Sequence, residues 1–381
     1  MKSPDKEGAI IQNYRISKIL KIAVLNISIF TALIFAPAIT LEVYRTIRSA
    51  RNQKLDPSME MSFDDKSMPS KTFRDSQKLT YKYTGFTGWT PNELETETIN
   101  INDYPHNRKG VSEKNTAKKP HKEATWFFGG STMWGLGVDD SSTIPSFYYN
   151  LSKKPTINFG VGGWVSRQSL NKFLTLLATE AAPSTAVFYD GVNEVGYGCN
   201  SIHSNKDLPV TARDSQIRGA LKPFLEKAAN FISSPLQTLK RRQQISGEYD
   251  CIINPRKANT IAKHLVTSWS TIHAISKAKG IKSFFVLQPN LATSPNSKKI
   301  LEPDHQLDKV SKQVESVYKN ILKELRLECK AIPELCHVFI DGSNWLNGVD
   351  YAFYDWMHVG DKGNKVVAKK LYLEIQKRSV K

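Results

Sequence analysis

Hydrophobic residues along this chain fall into three textures. Residues 22–41, IAVLNISIFTALIFAPAITL, hold no charged side chain, and their length matches a bilayer core of roughly 30 Å. Residues 42–123 are polar and punctuated by proline, with little helical period. They predict a juxtamembrane linker followed by a small, mostly irregular or β lead-in. From residue 124 onward, short apolar runs alternate with long amphipathic segments. The runs are ATWFFG (124–129), TINFG (156–160), TAVFYD (185–190), SFFVLQ (283–288) and HVFID (337–341). Near-continuous apolarity, in place of strict alternation, is the pattern of strands buried on both faces and predicts a parallel sheet.

Between these runs, Leu170, Phe173, Leu174, Leu177 and Ala181 recur at helical spacing and form one apolar stripe. Helices are also predicted over 257–279, 305–330 and 363–377, the last with Val367, Leu371 and Ile375 one turn apart. Strand and helix in alternation mean an α/β fold, with right-handed crossovers placing helices on both faces of the sheet. Residues 199–256 break the rhythm. Their central stretch, IRGALKPFLEKAANFISSPLQTLKRRQ, is amphipathic and reads as a helical insertion after the third strand, placed to cap the site.

The first texture predicts one transmembrane helix over 22–41, behind a basic tail at 1–21. Pro37 near its end is tolerable in lipid because the freed carbonyl can be satisfied locally. The triplet APA at 36–38 also mimics a signal-peptide cleavage site. Cleavage there would require a long apolar region and a proline inside the site, so an uncleaved anchor is the favoured reading. Charge does not orient it: Lys2, Lys6, Arg15, Lys18 and Lys21 precede the span, and Arg45, Arg48, Arg51 and Lys54 follow it.

The 381 residues, 40% of them hydrophobic, can bury one large core or two modest ones. A net charge of +17 suits nucleic acid, an anionic membrane surface or acidic polymers. No helix-turn-helix, RNP or zinc-finger pattern is present, and the basic residues are scattered apart from a cluster in NRKGVSEKNTAKKPHKE (107–123). A solvated basic surface is expected there, with no specific nucleic-acid partner. The four cysteines, Cys199, Cys251, Cys329 and Cys336, lack Cys-x-x-Cys spacing, and neither a metal nor a cofactor is expected. An even number beyond a membrane anchor suits an oxidising compartment. CKAIPELC could close a short loop and leave Cys199 and Cys251 to staple the longer one, although three pairings are open. Four buried thiols in a cytosolic domain are the alternative.

In open α/β sheets, ligands bind outside the carboxyl ends of the strands. The first strand is followed there by GGST with Ser131, the second by NFGVGG with Asn158, Gly160 and Gly163, and the third by DGVNE with Gly191 and Asn193. Near the C-terminus, DWMH places Asp355 three residues before His358. A P-loop would need a Lys-Ser or Lys-Thr pair after the glycines, and none follows. A dinucleotide fingerprint from Gly160 would need glycine or alanine at 165, which is Val165; a nucleophile elbow would need glycine at 133, which is Met133. Acyl-transfer chemistry remains. His358 can take the proton that makes the Ser131 hydroxyl nucleophilic, and Asp355 can fix the imidazole tautomer. The resulting oxyanion needs donors already aimed at it, which the Ser131 N–H, the Gly163 N–H and the Asn193 amide can supply.

In these four blocks and their order, the chain resembles the SGNH, or GDSL-type, hydrolase superfamily over roughly residues 124–381. The resemblance implies a flavodoxin-like, three-layer α/β/α fold with a mostly parallel five-stranded sheet. It also implies Ser131 as nucleophile and first oxyanion donor, Gly163 and Asn193 as the other donors, and Asp355 with His358 as the rest of the triad. Members of the superfamily act as esterases, lipases, or O-acyl transferases and esterases of glycans. An anchor and short lead-in before the catalytic domain is similar to the layout of envelope members that modify bacterial surface polysaccharides. That layout implies a periplasmic or cell-surface domain, an acyl ester or glycan substrate with acetyl foremost, and an envelope acyl-donor protein as partner. One departure is local: the usual Gly-Asp-Ser is Gly129-Gly130-Ser131, with no carboxylate beside the serine. A catalytically retired domain that binds glycan or scaffolds an envelope complex is the alternative, and the intact set of blocks argues against it.

Overall fold

The computed structural model describes residues 20–21, 24–26, 57–103, 107–112, 122–200, 249–298 and 305–379. The chain divides into two compact units, Met1–Leu55 and Asp56–Lys381. The expected transmembrane span lies outside the described residues except for 24–26, which are helical. Among the described residues no helix is long and apolar enough to cross a membrane. The amphipathic stretch expected within the 199–256 insertion also lies outside them.

The second unit begins with a 3-10 turn, Pro57–Ser62, followed by helix α1 (Met68–Ser76). An antiparallel hairpin of β1 (Tyr81–Thr84) and β2 (Gly88–Pro91) comes next. The main sheet contains β3 (Thr125–Gly129), β4 (Thr156–Asn158), β5 (Thr185–Asp190), β6 (Lys282–Leu287) and β7 (Phe339–Asp341). All its pairings are parallel, in the order β4-β3-β5-β6-β7. Counted within this sheet the order is 2-1-3-4-5, the flavodoxin-like arrangement, whose switch point lies between β3 and β5.

Every residue of β3 is buried, as its unbroken apolar run requires. Successive side chains of a strand point to opposite faces, so neighbours on β3 identify the two helical layers. Phe127 meets Tyr148 with ring centroids 5.2 Å apart, and Phe128 meets Phe173 at 5.7 Å. Tyr148 belongs to α3 (Ile144–Ser152) and Phe173 to α4 (Ser166–Thr179), so these helices cover opposite faces. Phe128, Phe188 and Phe285 then stack across three neighbouring strands at 4.8 and 5.6 Å. A short helix α2 (Ser131–Trp134) follows β3, and α5 (Val192–Gly198) follows β5. Helix α6 (Pro255–Ala278) joins α4 on its face and packs against α7 (His305–Ala331). On the other face α9 (Asp361–Ser379) packs against α3.

Asn254 caps α6 by accepting from the Lys257 N–H at 3.2 Å, and Pro255 occupies its first turn, where a missing N–H costs nothing. Several expected details differ. Residues 337–338 end a short helix α8 (Pro333–Val338), so β7 starts at Phe339. Ala181 lies beyond the end of α4, and Leu174 points to solvent while Leu176 is buried, because the buried stripe of Leu170, Phe173 and Leu176 is rotated from the expected one. Disulfides join Cys199 to Cys251 and Cys329 to Cys336.

The expected solvated cluster at 107–123 requires a correction at Arg108, which is 1% exposed. Its backbone N–H donates to the Asn158 carbonyl at 3.0 Å, extending the sheet edge. Its guanidinium pairs with the buried Asp140 at 3.0 Å and lies 4.4 Å from the Trp134 ring. The same group donates to the carbonyls of Trp134, Gly135 and Val138, the turn that follows α2. Burial raises the Asp140 carboxyl above its ordinary value, and Arg108 opposes the rise. Arg108→Met leaves that carboxyl buried without its counter-charge; the expected cost is about 3–5 kcal/mol, measurable by urea unfolding. Arg108→Met/Asp140→Asn should recover part of it.

Candidate active site

Strand β3 delivers the chain to a tight turn at the switch point. Gly129 has φ of +153°, and a Cβ there would lie 2.5 Å from the Tyr189 carbonyl oxygen of the adjacent strand. Gly130 precedes α2, and a Cβ on it would lie 2.2 Å from the Asn193 Nδ2 atom. Both positions exclude side chains. Ser131 is therefore the first residue with a side chain beyond the strand, and as the opening residue of α2 its N–H has no acceptor within the helix.

The structure brings together Ser131, His358 and Asp355. Ser131 Oγ lies 2.6 Å from His358 Nε2, across 227 residues of sequence. His358 Nδ1 lies 2.5 Å from Asp355 Oδ2. Asp355 Oδ1 accepts from the N–H groups of Met357 at 2.8 Å and His358 at 2.6 Å, so the carboxylate is locked onto its own loop. With Nδ1–H donating to Asp355, Nε2 is left as the acceptor for the serine proton. Burial pushes the Asp355 carboxyl up, but the facing imidazole and these hydrogen bonds outweigh it and hold the group below its ordinary value.

Gly163 and Asn193 come to the same place. Gly163 has φ of +76°, which a side chain would strain, and it directs the next carbonyl inward. That carbonyl, of Trp164, accepts from Asn193 Nδ2 at 2.7 Å and would lie 3.2 Å from a Cβ on Gly130. The bond uses one of the two Asn193 amide hydrogens and leaves the other to donate. Asn158, also at a strand end, braces the turn instead: its Nδ2 donates to the Met133 carbonyl at 3.0 Å, and its Oδ1 accepts from Gly160 N–H at 3.0 Å. Among the described residues no group of three or more His, Cys, Asp or Glu side chains is placed to hold a metal ion.

Two contributors went unread in the sequence. Tyr354 stacks on His358, with ring centroids 5.8 Å apart and planes 12° from parallel, and donates through Oη to the Leu136 carbonyl at 2.7 Å. It thus ties the histidine loop to the serine turn. The lead-in holds all three loops. Phe63 stacks on Tyr354 at 6.3 Å, and Arg108 grips the serine turn. The Trp89 carbonyl in β2 accepts from Trp164 Nε1 at 3.1 Å, beside Gly163. Such a constellation can abstract a hydroxyl proton, form a bond from Oγ to a carbonyl carbon and hold the resulting oxyanion.

No protein-family model matches the chain, and no curated protein sequence matches it. Solved structures are similar to it. A GDSL-like lipase from Bacteroides thetaiotaomicron is 14% identical, with TM-score 0.38, covering 70% of this chain and 95% of its own. A member of the lipolytic protein G-D-S-L family from Veillonella parvula is 12% identical, with TM-score 0.38, covering 67% and 99%. A carbohydrate acetylesterase from Sinorhizobium meliloti is 11% identical, with TM-score 0.36, covering 67% and 99%.

The lowered Asp355 pKa makes a prediction about stability. A depressed folded-state value contributes stability that is present above the ordinary carboxylate pKa of about 3.9 and lost as pH falls through the folded value. Wild-type stability relative to Asp355→Asn should therefore decline as pH is lowered below about 4. Urea unfolding of both proteins at neutral and acidic pH measures the difference; a gap independent of pH would count against the pairing.

Proposed function

We propose that this chain is a membrane-anchored serine esterase or O-acyltransferase acting on acyl esters, foremost acetyl esters, of envelope glycans. The observation that carries the chemistry is the relay from Ser131 through His358 to Asp355, assembled at the sheet's switch point beside Gly163 and Asn193. Ser131 Oγ attacks the ester carbonyl carbon as its proton passes to His358 Nε2. The carbonyl oxygen takes the negative charge and meets the Ser131 N–H, the Gly163 N–H and the free amide hydrogen of Asn193. Collapse expels the alcohol oxygen, which His358 protonates, and leaves acyl-Ser131. In the second half, water or a sugar hydroxyl surrenders its proton to His358 and attacks the acyl carbon. Ser131 regains the proton, and a free acid or a new ester departs.

The anchor is assigned to residues 22–41, whose uncharged apolar length supports it. Placement of the domain outside the cytoplasmic membrane is supported by the pairing of all four cysteines. The glycan substrate, and an envelope acyl-donor protein for the transferase case, rest on the chain layout. Product analysis with an acyl donor and an oligosaccharide separates hydrolysis from transfer.

Ser131→Ala is expected to abolish aryl acetate turnover and covalent labelling by a fluorophosphonate, read by intact mass. Asn193→Ala should lower turnover by about 10²–10³ while the protein remains folded. A folded wild-type protein that leaves Ser131 unlabelled would favour a retired domain that binds glycan or scaffolds a complex.

A further inference from the structure

We propose that Glu194 is a positioning residue that fixes the spacing of the Gly163 and Asn193 oxyanion donors, with one carboxylate accepting from both of the loops that carry them. The inference rests on the esterase or transferase reading of the site. Glu194 is 2% exposed. Its Oε1 accepts from the Ser166 N–H at 2.6 Å, and its Oε2 from the Gly191 N–H at 3.0 Å. Ser166 opens α4 three residues after Gly163, and Gly191 precedes α5 two residues before Asn193.

A glutamate in the first turn commonly bonds the N–H at the start of its own helix, and Oε2 does so. The second oxygen reaches the N-terminus of a different helix. One anion therefore satisfies N–H groups that lack intrahelical acceptors at two helix starts, where negative charge is favoured. The Asn193 amide bonded to the Trp164 carbonyl is a second link between the same two loops. Removing the carboxylate puts the load on that link, which is made by the very group that must also face the oxyanion.

The bonding also indicates where charge resides. Both Glu194 oxygens accept from N–H groups, so a proton on either would cost a bond. Asp190, at the end of β5, is buried nearby, with Oδ2 accepting from Trp269 Nε1 at 3.1 Å. Burial, and then the Glu194 charge, raise Asp190 well above the usual carboxylate range. Burial raises Glu194 as well, opposed by the N–H bonds from Ser166 and Gly191, while Asp190 has only the Trp269 N–H to oppose its rise.

The test compares Glu194→Gln and Glu194→Asp with wild type in the full-length protein, using an aryl acetate and counting competent sites by fluorophosphonate titration. Glutamine keeps the shape but offers one acceptor oxygen; aspartate keeps the charge but is too short to span both loops. Expected is a fall in kcat per competent site of about 10- to 100-fold, with KM changed less than about threefold. Asn193→Ala added to either variant should then cost less than it costs wild type, because both act through the same donors. Wild-type kcat per competent site in the variants, or losses that multiply in full with Asn193→Ala, overturns the proposal. A wild-type protein that Ser131 labelling shows to be unreactive overturns the catalytic reading itself, and this inference with it.

Discussion

The hydrogen bond from Ser131 to His358 joins residues 227 positions apart, and its 2.6 Å length leaves little play between the loops that carry them. A loop at a strand end is not rigid by its own composition. The serine turn is short and glycine-rich, and the histidine sits in a turn between β7 and α9. Precision at this contact therefore has to come from what surrounds it. Tyr354 supplies part, with its ring against the imidazole and its hydroxyl on the serine turn.

The lead-in supplies much of the rest. Burying a guanidinium and a carboxylate costs several kcal/mol in lost hydration, and attraction between them repays it only when further hydrogen bonds complete the shell. Arg108 meets that condition with Asp140 and three carbonyls of the serine turn, and Asp140 also accepts from Asn100. A fork of fixed donors suits this role where lysine would not. The segment N-terminal to the sheet thus works as a strap, touching the serine turn through Arg108, the histidine loop through Phe63 and the Gly163 loop through Trp89. The Glu194 carboxylate completes the set, joining two loops that Asn193 also bridges.

Much of the α/β unit and its candidate site was legible in the chain. Strands buried on both faces show as unbroken apolar runs, so the five runs mark the five strands to within a few residues. Helices α6, α7 and α9 are long enough for the 3.6-residue period to declare itself. Helix α8 was not, with six residues opened by a proline and its last two lying in an apolar run that reads as strand. Ser131, Gly163, Asn193, Asp355 and His358 could be placed because each occupies a strand end or a spelled block. Gly130 reads in sequence as one more turn glycine; the structure packs the Asn193 amide against it.

The sequence by itself determined the layers, the strand ends and the residue types gathered there, because those follow from local periodicity and from chemistry written in single letters. Only the tertiary structure decided how the loops are held. Arg108 reads in sequence like any surface arginine in a basic stretch, since burial depends on which distant carbonyls surround it. Glu194 reads like an ordinary helix-start acid, since its second partner is a backbone N–H, a group every residue but proline carries and no sequence pattern marks.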